Sequence, residues 1–345
     1  MSDELTYRRA GVDIDEQNRA IRMFAPAVQE TYDARVLGGP GTFGALFDIS
    51  ALDVEEPILV TSMDGVGTKT CVAAQANQFS GLGADIVNHC VNDILAQGAR
   101  PLFFLDYFAA SRLNAQQVAD VVTSAAQACK ENDCALVGGE IAEMPDVYKD
   151  GQIDIVGAIV GVVSKSAMLP TTSVGPGDLV VGLASDGLHT NGYTLARRAL
   201  LDVGGLRLED TVPELGRSLA EELLRPHRSY FPALRGLLGA EGRIKAIAHI
   251  TGGGFYENLP RVFPPTVRAI IEKRQWTPPP IFQMIQTLGA ISDTEMYRTF
   301  NMGIGMVLIA ASDAVPALVQ QINESGITAY VIGELTSGGH DVVIA

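Results

Sequence analysis

From Pro57 to Met63 the chain is a short apolar run that stops at Asp64-Gly65-Val66-Gly67, a pattern that predicts a strand running into a loop. The period then changes. Between Leu82 and Leu95 the pairs Ile86/Val87, Cys90/Val91 and Ile94/Leu95 recur every four residues, as in an amphipathic helix, and Gly98 closes it. Leu102–Phe108 is aromatic and β-prone, hence a strand. Asn114 is placed to cap a second helix with the apolar stripe Val118, Val121/Val122, Ala125 and Cys129. Ala135–Val137 and Ile153–Val163 predict two more strands.

Around Met168–Gly177 the segment Leu-Pro-Thr-Thr-Ser-Val-Gly-Pro-Gly is turn-rich. It sets the expected boundary between an N-terminal domain, residues 1–168, and a C-terminal domain, residues 172–345. The second half restarts with a strand over Asp178–Ala184 and a helix from near Asn191. It closes with a Gly303–Ala311 strand, an Asp313–Ser325 helix and short final strands. Both halves mix strand and helix, so the fold class is α/β (α+β) in two domains. A length of 345 residues suits two cores better than one.

Composition narrows the function. A net charge of −15 argues against a nucleic-acid surface, which needs clustered Lys and Arg. Cys71, Cys90, Cys129 and Cys134 show no C-x-x-C pairing and read as buried thiols of a reducing compartment. Met1–Arg9 lacks the apolar stretch of a secretory signal, and no run approaches the roughly eighteen apolar residues of a membrane span. A cytoplasmic enzyme with no membrane contact is the expectation.

Candidate chemistry concentrates in a few loops. In Asp64-Gly-Val-Gly-Thr-Lys69, an acid after a strand can hold a metal. Gly65 and Gly67 let backbone N–H groups, with Thr68, approach an anion, and Lys69 adds a point charge. An ordinary Asp-Gly turn accounts for the same residues. Asp93 shares a helix face with His89 and Asp85, a face that solvent alone could explain. Glu140, beside paired glycines at a strand end, supplies a third acid. Mg²⁺ favours a few carboxylates plus water and phosphate oxygens, so Asp64, Asp93 and Glu140 suit a MgATP site if they converge. Gly38–Leu46 carries four glycines in seven residues and reads as a loop over phosphates or a plain linker. His189, Asn191 and Gly192 precede a helix and suit an anion at its N-terminus, with His189 the best acid/base candidate. Thr251-Gly-Gly-Gly254 suits an anion nest or a tight turn.

Taken together, the motifs resemble one family across the chain. Tyr7-x-x-Ala-Gly-Val-Asp-Ile-Asp15, Gly38–Phe47, Asp64–Lys69, Val91-Asn-Asp-Ile94, Gly98-Ala-x-Pro-Leu-Phe-Phe-Leu-Asp-Tyr107 and Gly138-Gly-Glu-x-Ala-Glu-Met-Pro145 look like the first half of AIR synthetase. His189-x-Asn-Gly-Tyr193, His249-Ile-Thr-Gly-Gly-Gly254 and Met296-x-Arg-Thr-Phe-Asn-x-Gly303 look like its second half. The resemblance implies ATP-dependent closure of formylglycinamidine ribonucleotide (FGAM) to aminoimidazole ribonucleotide (AIR) through an imidate phosphate, with release of ADP and phosphate. It implies a cytosolic homodimer joined through N-terminal domains. It also implies ATP contacts from Gly41, Phe43, Gly44, Asp64, Gly65, Gly67, Thr68, Lys69, Asn92, Asp93 and Glu140. Mg²⁺ would sit on Asp64, Asp93 and Glu140. FGAM would meet His189, Asn191, Gly192, Thr251, Gly252, Gly253 and Gly254, with Asp64, Lys69 and His189 catalytic.

Four positions depart from the family pattern: Gln17 for glycine, Ala25 where some members have lysine, Ile141 for threonine and Thr190 for serine. None removes a proposed metal acid. A thiamine-monophosphate kinase is the rival enzyme reading, opposed by the second-half motifs. Selenophosphate synthetase lacks support, since no cysteine precedes Cys71. A silent nucleotide-binding scaffold is the non-enzymatic alternative.

Overall fold

The computed structural model describes residues 4–39, 43–239 and 243–345. Gly41, expected over the nucleotide, lies outside them.

The first half opens with α1 (Ile14–Gln29), whose N-terminus is capped by Asp13 accepting from the Asp15 and Glu16 N–H groups. It continues through β1 (Pro57–Gly65), α2 (Lys69–Ala76), α3 (Leu82–Leu95), β2 (Arg100–Ala110), α4 (Ala115–Glu131), β3 (Ala135–Glu143) and β4 (Ile153–Ser164). The strands form one sheet in the order β1-β4-β2-β3. Asn114 caps α4 as expected, accepting from Gln116 and Gln117 N–H groups. Helices α3 and α4 cover one face. Close approach there depends on β4, where a Cβ on Gly157 would lie 2.2 Å from Phe104 and 2.8 Å from Ile86. Among the described residues no helix covers the other face of the sheet, and Leu59, Met63 and Leu105 on it are exposed.

The second half begins with β5 (Leu179–Ala184), α5 (Tyr193–Arg197), the hairpin of β6 (Thr211–Val212) and β7 (Arg217–Ser218), α6 (Leu219–Leu223) and α7 (Phe231–Leu234). Next come β8 (Ile244–His249), α8 (Gly254–Asn258), β9 (Val267–Ile271), α9 (Pro280–Gly289) and α10 (Asp293–Thr299). It ends with β10 (Ile304–Ala310), α11 (Val315–Glu324), β11 (Ala329–Ser337) and β12 (Val342–Ile344). Six of these strands make a mostly antiparallel sheet in the order β12-β9-β11-β5-β10-β8.

Strand β10 is buried along its whole length. Its alternate residues feed two cores. Met306 and Leu308 join the cluster that also holds Ile86, Val91 and Phe104 of the first half, whereas Val307 and Ile309 pack with Phe282, Phe300 and Trp276. One hydrophobic core therefore runs through both halves. No helix among the described residues is long and apolar enough to cross a membrane.

Candidate active site between the two sheets

The C-terminal end of β1, the last turn of α3 and the end of β8 meet at a cleft of about 500 Å³, lined in part by Ser62, Asp64, Asp93, His249, Thr251 and Asn258. Asp64 and Asp93 come from the first half, His249 and Thr251 from the second.

Each acid is paired with an imidazole. The Asp64 Oδ2 atom lies 3.0 Å from His89 Nε2, and Asp93 Oδ1 lies 2.8 Å from His249 Nδ1. Both histidine side chains are almost fully buried, while Asp64 and Asp93 remain 42% and 28% open to the cleft. Burial opposes ionisation of Asp64, but the hydrogen bond and charge of His89 and the Gly65 N–H outweigh it and hold the carboxyl below its ordinary value. His89 is drawn down by burial yet ends above the usual imidazole value, because Asp64 and Asp93 favour its charged form. Asp93 is also held low. Burial works against this, and His249, His89 and the Ser62 hydroxyl overcome it.

Four of the five histidines gather here. His227 stacks on His189 with ring centroids 4.0 Å apart and lies 5.1 Å from both His89 and His249. Thr190 Oγ1 bridges His89 Nδ1 at 2.8 Å and His227 Nδ1 at 3.2 Å. The departure from serine at that position thus keeps a hydroxyl that two rings use.

The expected residues divide into those that face the cleft and those that support it. Asp64, Asp93 and Thr251 face it. Asn191 stands beside Gly252, whose Cβ position would be 3.5 Å from Asn191 Oδ1. Gly253 and Gly254 adopt φ of +93° and +56°, and a Cβ on Gly254 would fall 1.9 Å from the Tyr297 carbonyl oxygen. Gly192 is fixed in the same way by the Phe300 ring, 2.3 Å from its Cβ position. Thr68 meets Thr194 across the halves at 2.9 Å. Gly67 takes φ +67° in the turn between β1 and α2.

Lys69 does not reach the cleft. Its side chain is fully buried, with Nζ donating to Asp85 Oδ1 at 2.8 Å and to the carbonyls of Arg225 at 2.6 Å and His189 at 3.3 Å. An ammonium whose three protons are spent inside the protein is not a phosphate contact. Burial draws Lys69 down and pushes Asp85 up, each opposed by the other's charge. The α3 face bearing Asp85 and His89 is thus an interdomain contact rather than a solvated one.

Asn92 is likewise buried. It accepts from the Tyr230 N–H at 3.0 Å and donates to the Arg228 carbonyl at 2.8 Å, fastening the loop that carries His227 instead of touching a nucleotide. His189 is 1% exposed, at φ +64°, and its Nε2 accepts from the Asp186 N–H at 3.1 Å. Burial keeps it well below the ordinary imidazole value, so it is neutral, and its Nδ1 has no partner. The imidazole that lines the cleft is His249.

Glu140 lies elsewhere. It is inside β3, not at its end, and lines a separate cavity of about 370 Å³ with Gln17, Phe43, Gly44 and Asp106. The register runs Asp64↔Gly157, Gly157↔Asp106, Asp106↔Gly139, so Asp64 and Glu140 stand on opposite edges of the sheet. Three strand spacings separate them, about 14 Å. Within one chain the three acids do not surround one cation. Two departures from the family pattern meet at this second cavity, where Gln17 Nε2 donates to the Ile141 carbonyl at 3.2 Å.

His249, His227 and Ser62 were not expected. His249 is the residue before a glycine run, and nothing in Pro226-His-Arg marks His227 as part of a site.

Comparison with known proteins gives the site its context. Residues 45–163 match the N-terminal domain of AIR synthase related proteins and residues 175–345 match their C-terminal domain. The chain is 43% identical over 339 residues to the phosphoribosylformylglycinamidine cyclo-ligase of Thermodesulfovibrio yellowstonii, covering 98% of each chain. It is 46% identical over 342 residues to that of Carboxydothermus hydrogenoformans, covering 99% of each. The thiamine-monophosphate kinase of Stenotrophomonas maltophilia shares the fold, with TM-score 0.64 and 18% identity over 94% of this chain and 95% of that one. With both domains and near full-length relatives in agreement, the chain belongs to the AIR synthase family, in its phosphoribosylformylglycinamidine cyclo-ligase branch.

Proposed function

We propose that the ATP-dependent closure of FGAM to AIR, the reaction of this branch of purine synthesis, takes place in the cleft holding Asp64, Asp93 and Thr251–Gly254. The carrying observation is that carboxylates of one half face His249 and Thr251, at the head of the glycine turn of the other, across one opening. An amide oxygen is a poor leaving group. Transfer of the γ-phosphoryl group of ATP to the formyl oxygen makes an imidate phosphate, and attack by the amidine nitrogen then expels phosphate. The protein's task is alignment and charge neutralisation. The Gly254 N–H is spent on the Thr251 carbonyl at 3.0 Å, so an anion at this positive-φ turn would meet the N–H groups that precede it.

Mg²⁺ bound with the nucleotide would neutralise phosphate charge. Asp64 and Asp93 are placed to hold such an ion, both partly open to the cleft and held below the ordinary carboxyl value. Glu140 of the same chain is not. A homodimer joined through the first-half sheets would lay β1 of one copy over β3 of the other and bring a second copy's Glu140 edge nearer the Asp64 edge. The helix-free sheet face with Leu59, Met63 and Leu105 supplies the apolar surface for that packing.

Measuring ADP release with FGAM, with thiamine monophosphate and with neither tests the reading. Turnover with FGAM alone is expected. Equal turnover with thiamine monophosphate would reject it.

A further inference from the structure

Asp64 is held by a ring that is itself held from the other half of the chain. Its Oδ1 accepts from the adjacent Gly65 N–H at 2.6 Å, which leaves the direction of Oδ2 to His89 Nε2, 3.0 Å away. His89 is buried on α3, and among the described residues its ring has one further hydrogen bond, Nδ1 to Thr190 Oγ1 at 2.8 Å. An imidazole on a single hydrogen bond can swing or flip about χ2, and a second bond on its other nitrogen removes that freedom. Thr190 supplies the second bond from 101 positions along the chain.

Thr190 is fixed in turn. It is buried, and its Oγ1 also lies 3.2 Å from His227 Nδ1. A hydroxyl can donate to one ring while accepting from the other, so the bridge holds whichever ring carries the proton. His227 is held on its remaining sides. Its backbone N–H donates to Asp85 Oδ1 at 2.7 Å, its carbonyl accepts from Asn88 Nδ2 at 2.7 Å, and its ring stacks on His189. Its Nε2 lies 3.2 Å from Asn92 Nδ2, and that amide is oriented by the Tyr230 N–H and the Arg228 carbonyl. The path thus leaves α3 at Asn92, crosses His227 and Thr190 of the second half, and returns to α3 at His89, one helical turn before. Every side chain on it is buried except the carboxylate at its end.

We infer that Thr190 is a positioning residue for the closure of FGAM: its hydroxyl, backed by His227, sets the His89 ring and through it the aim of the Asp64 carboxylate into the cleft. The second half thereby governs how an acid of the first half is presented. Thr190 does not line the cleft, so its effect passes through His89. The consequence for turnover rests on the reading of the cleft as the place of FGAM closure. The hydroxyl bridge does not.

Two substitutions in the full-length protein divide the side chain. Thr190→Val keeps its shape and removes the hydroxyl, whereas Thr190→Ser keeps the hydroxyl and removes the methyl. Thr190→Val should lower kcat for FGAM-dependent ADP release about 10–100-fold, with KM for ATP and FGAM within about 2-fold. Thr190→Ser should stay within about 3-fold of wild type. The reverse order would mark a packing role and overturn the inference. In an Asp64→Asn background Thr190→Val should cost less than about 2-fold more, because the acid it serves is gone; a further loss of about 10-fold there would also overturn it. A second readout needs no turnover. In nucleotide-free protein labelled with ¹⁵N-histidine, Thr190→Val should shift the ring nitrogens of His89 and leave unchanged those of His340, which is exposed and bound to the Pro260 carbonyl. In the wild type the Thr190 hydroxyl proton should be protected from exchange, a measurement that requires no variant to fold. An unprotected hydroxyl, or unmoved His89 signals, would overturn the inference and leave the cleft reading standing. If Thr190→Val moves His89 while the wild type shows no FGAM-dependent ADP release, the bridge stands and the cleft reading falls.

Discussion

Lys69 offers the sharpest test of how the site is built, because one substitution separates a structural ammonium from a catalytic one. In Lys69→Met the aliphatic stem is kept and the charge removed. The Asp85 carboxylate then remains fully buried with the His227 N–H, 2.7 Å away, as its main donor. Breaking a buried pair by deleting one partner costs about 3–5 kcal/mol. That is a large share of a typical stability of about 5–15 kcal/mol. Removing both charges in Lys69→Met/Asp85→Leu relieves the stranded carboxylate. It still leaves the carbonyls of His189 and Arg225 and the His227 N–H short of partners, at about 1–3 kcal/mol each where water cannot reach. The double variant should therefore lie nearer wild type than the sum of the single losses. Urea unfolding of the four proteins of this cycle, followed by far-UV circular dichroism, gives the coupling directly. A Lys69→Met protein that loses under about 1 kcal/mol yet fails to bind ATP would refute the argument, because the ammonium would then have to leave Asp85 for a phosphate.

Further outcomes follow from the same geometry. Asp64→Asn should lower FGAM-dependent ADP release at least about 100-fold with an unchanged melting curve; near wild-type turnover at saturating divalent ion would remove the acid from the mechanism. Asp106, pushed up to about 7 by burial, binds a proton that the unfolded chain releases near pH 4, so stability should fall as pH rises from about 4 to 7. At about 1.4 kcal/mol per unit the loss is at most about 4 kcal/mol, trimmed by the cavity it borders, and Asp106→Asn should abolish that slope in urea titrations at pH 5 and 8. Gly254→Ala should cost about 1–3 kcal/mol by thermal melting, since its Cβ would collide with the Tyr297 carbonyl. If the proposed dimer packs through this sheet face, Met63→Lys should lower the mass seen in light-scattering chromatography; a dimer of unchanged mass would place the interface elsewhere.

The sequence made the helices and their buried stripes legible because period 3.6 is a local signal. Ile86 to Leu95 and Val118 to Cys129 sit in the core as their spacing requires. Convergence was less legible. The strand order β1-β4-β2-β3 sets Glu140 across the sheet from Asp64, and nothing local encodes that order. The polar face of α3 read equally well as solvated, because the residues that bury Asp85 and His89 come from a loop over a hundred positions later. Lys69 looked available for the same reason: its partners at Asp85, His189 and Arg225 are supplied by tertiary structure alone. His227 carried no local mark at all.

The strand shared between two cores limits how this protein can be rearranged. With Met306 and Leu308 committed to one side and Val307 and Ile309 to the other, the second half cannot be exchanged for that of a distant relative without repacking the first. Chimaeras cut in the 165–178 connection should be insoluble unless the side chains meeting across that seam travel together.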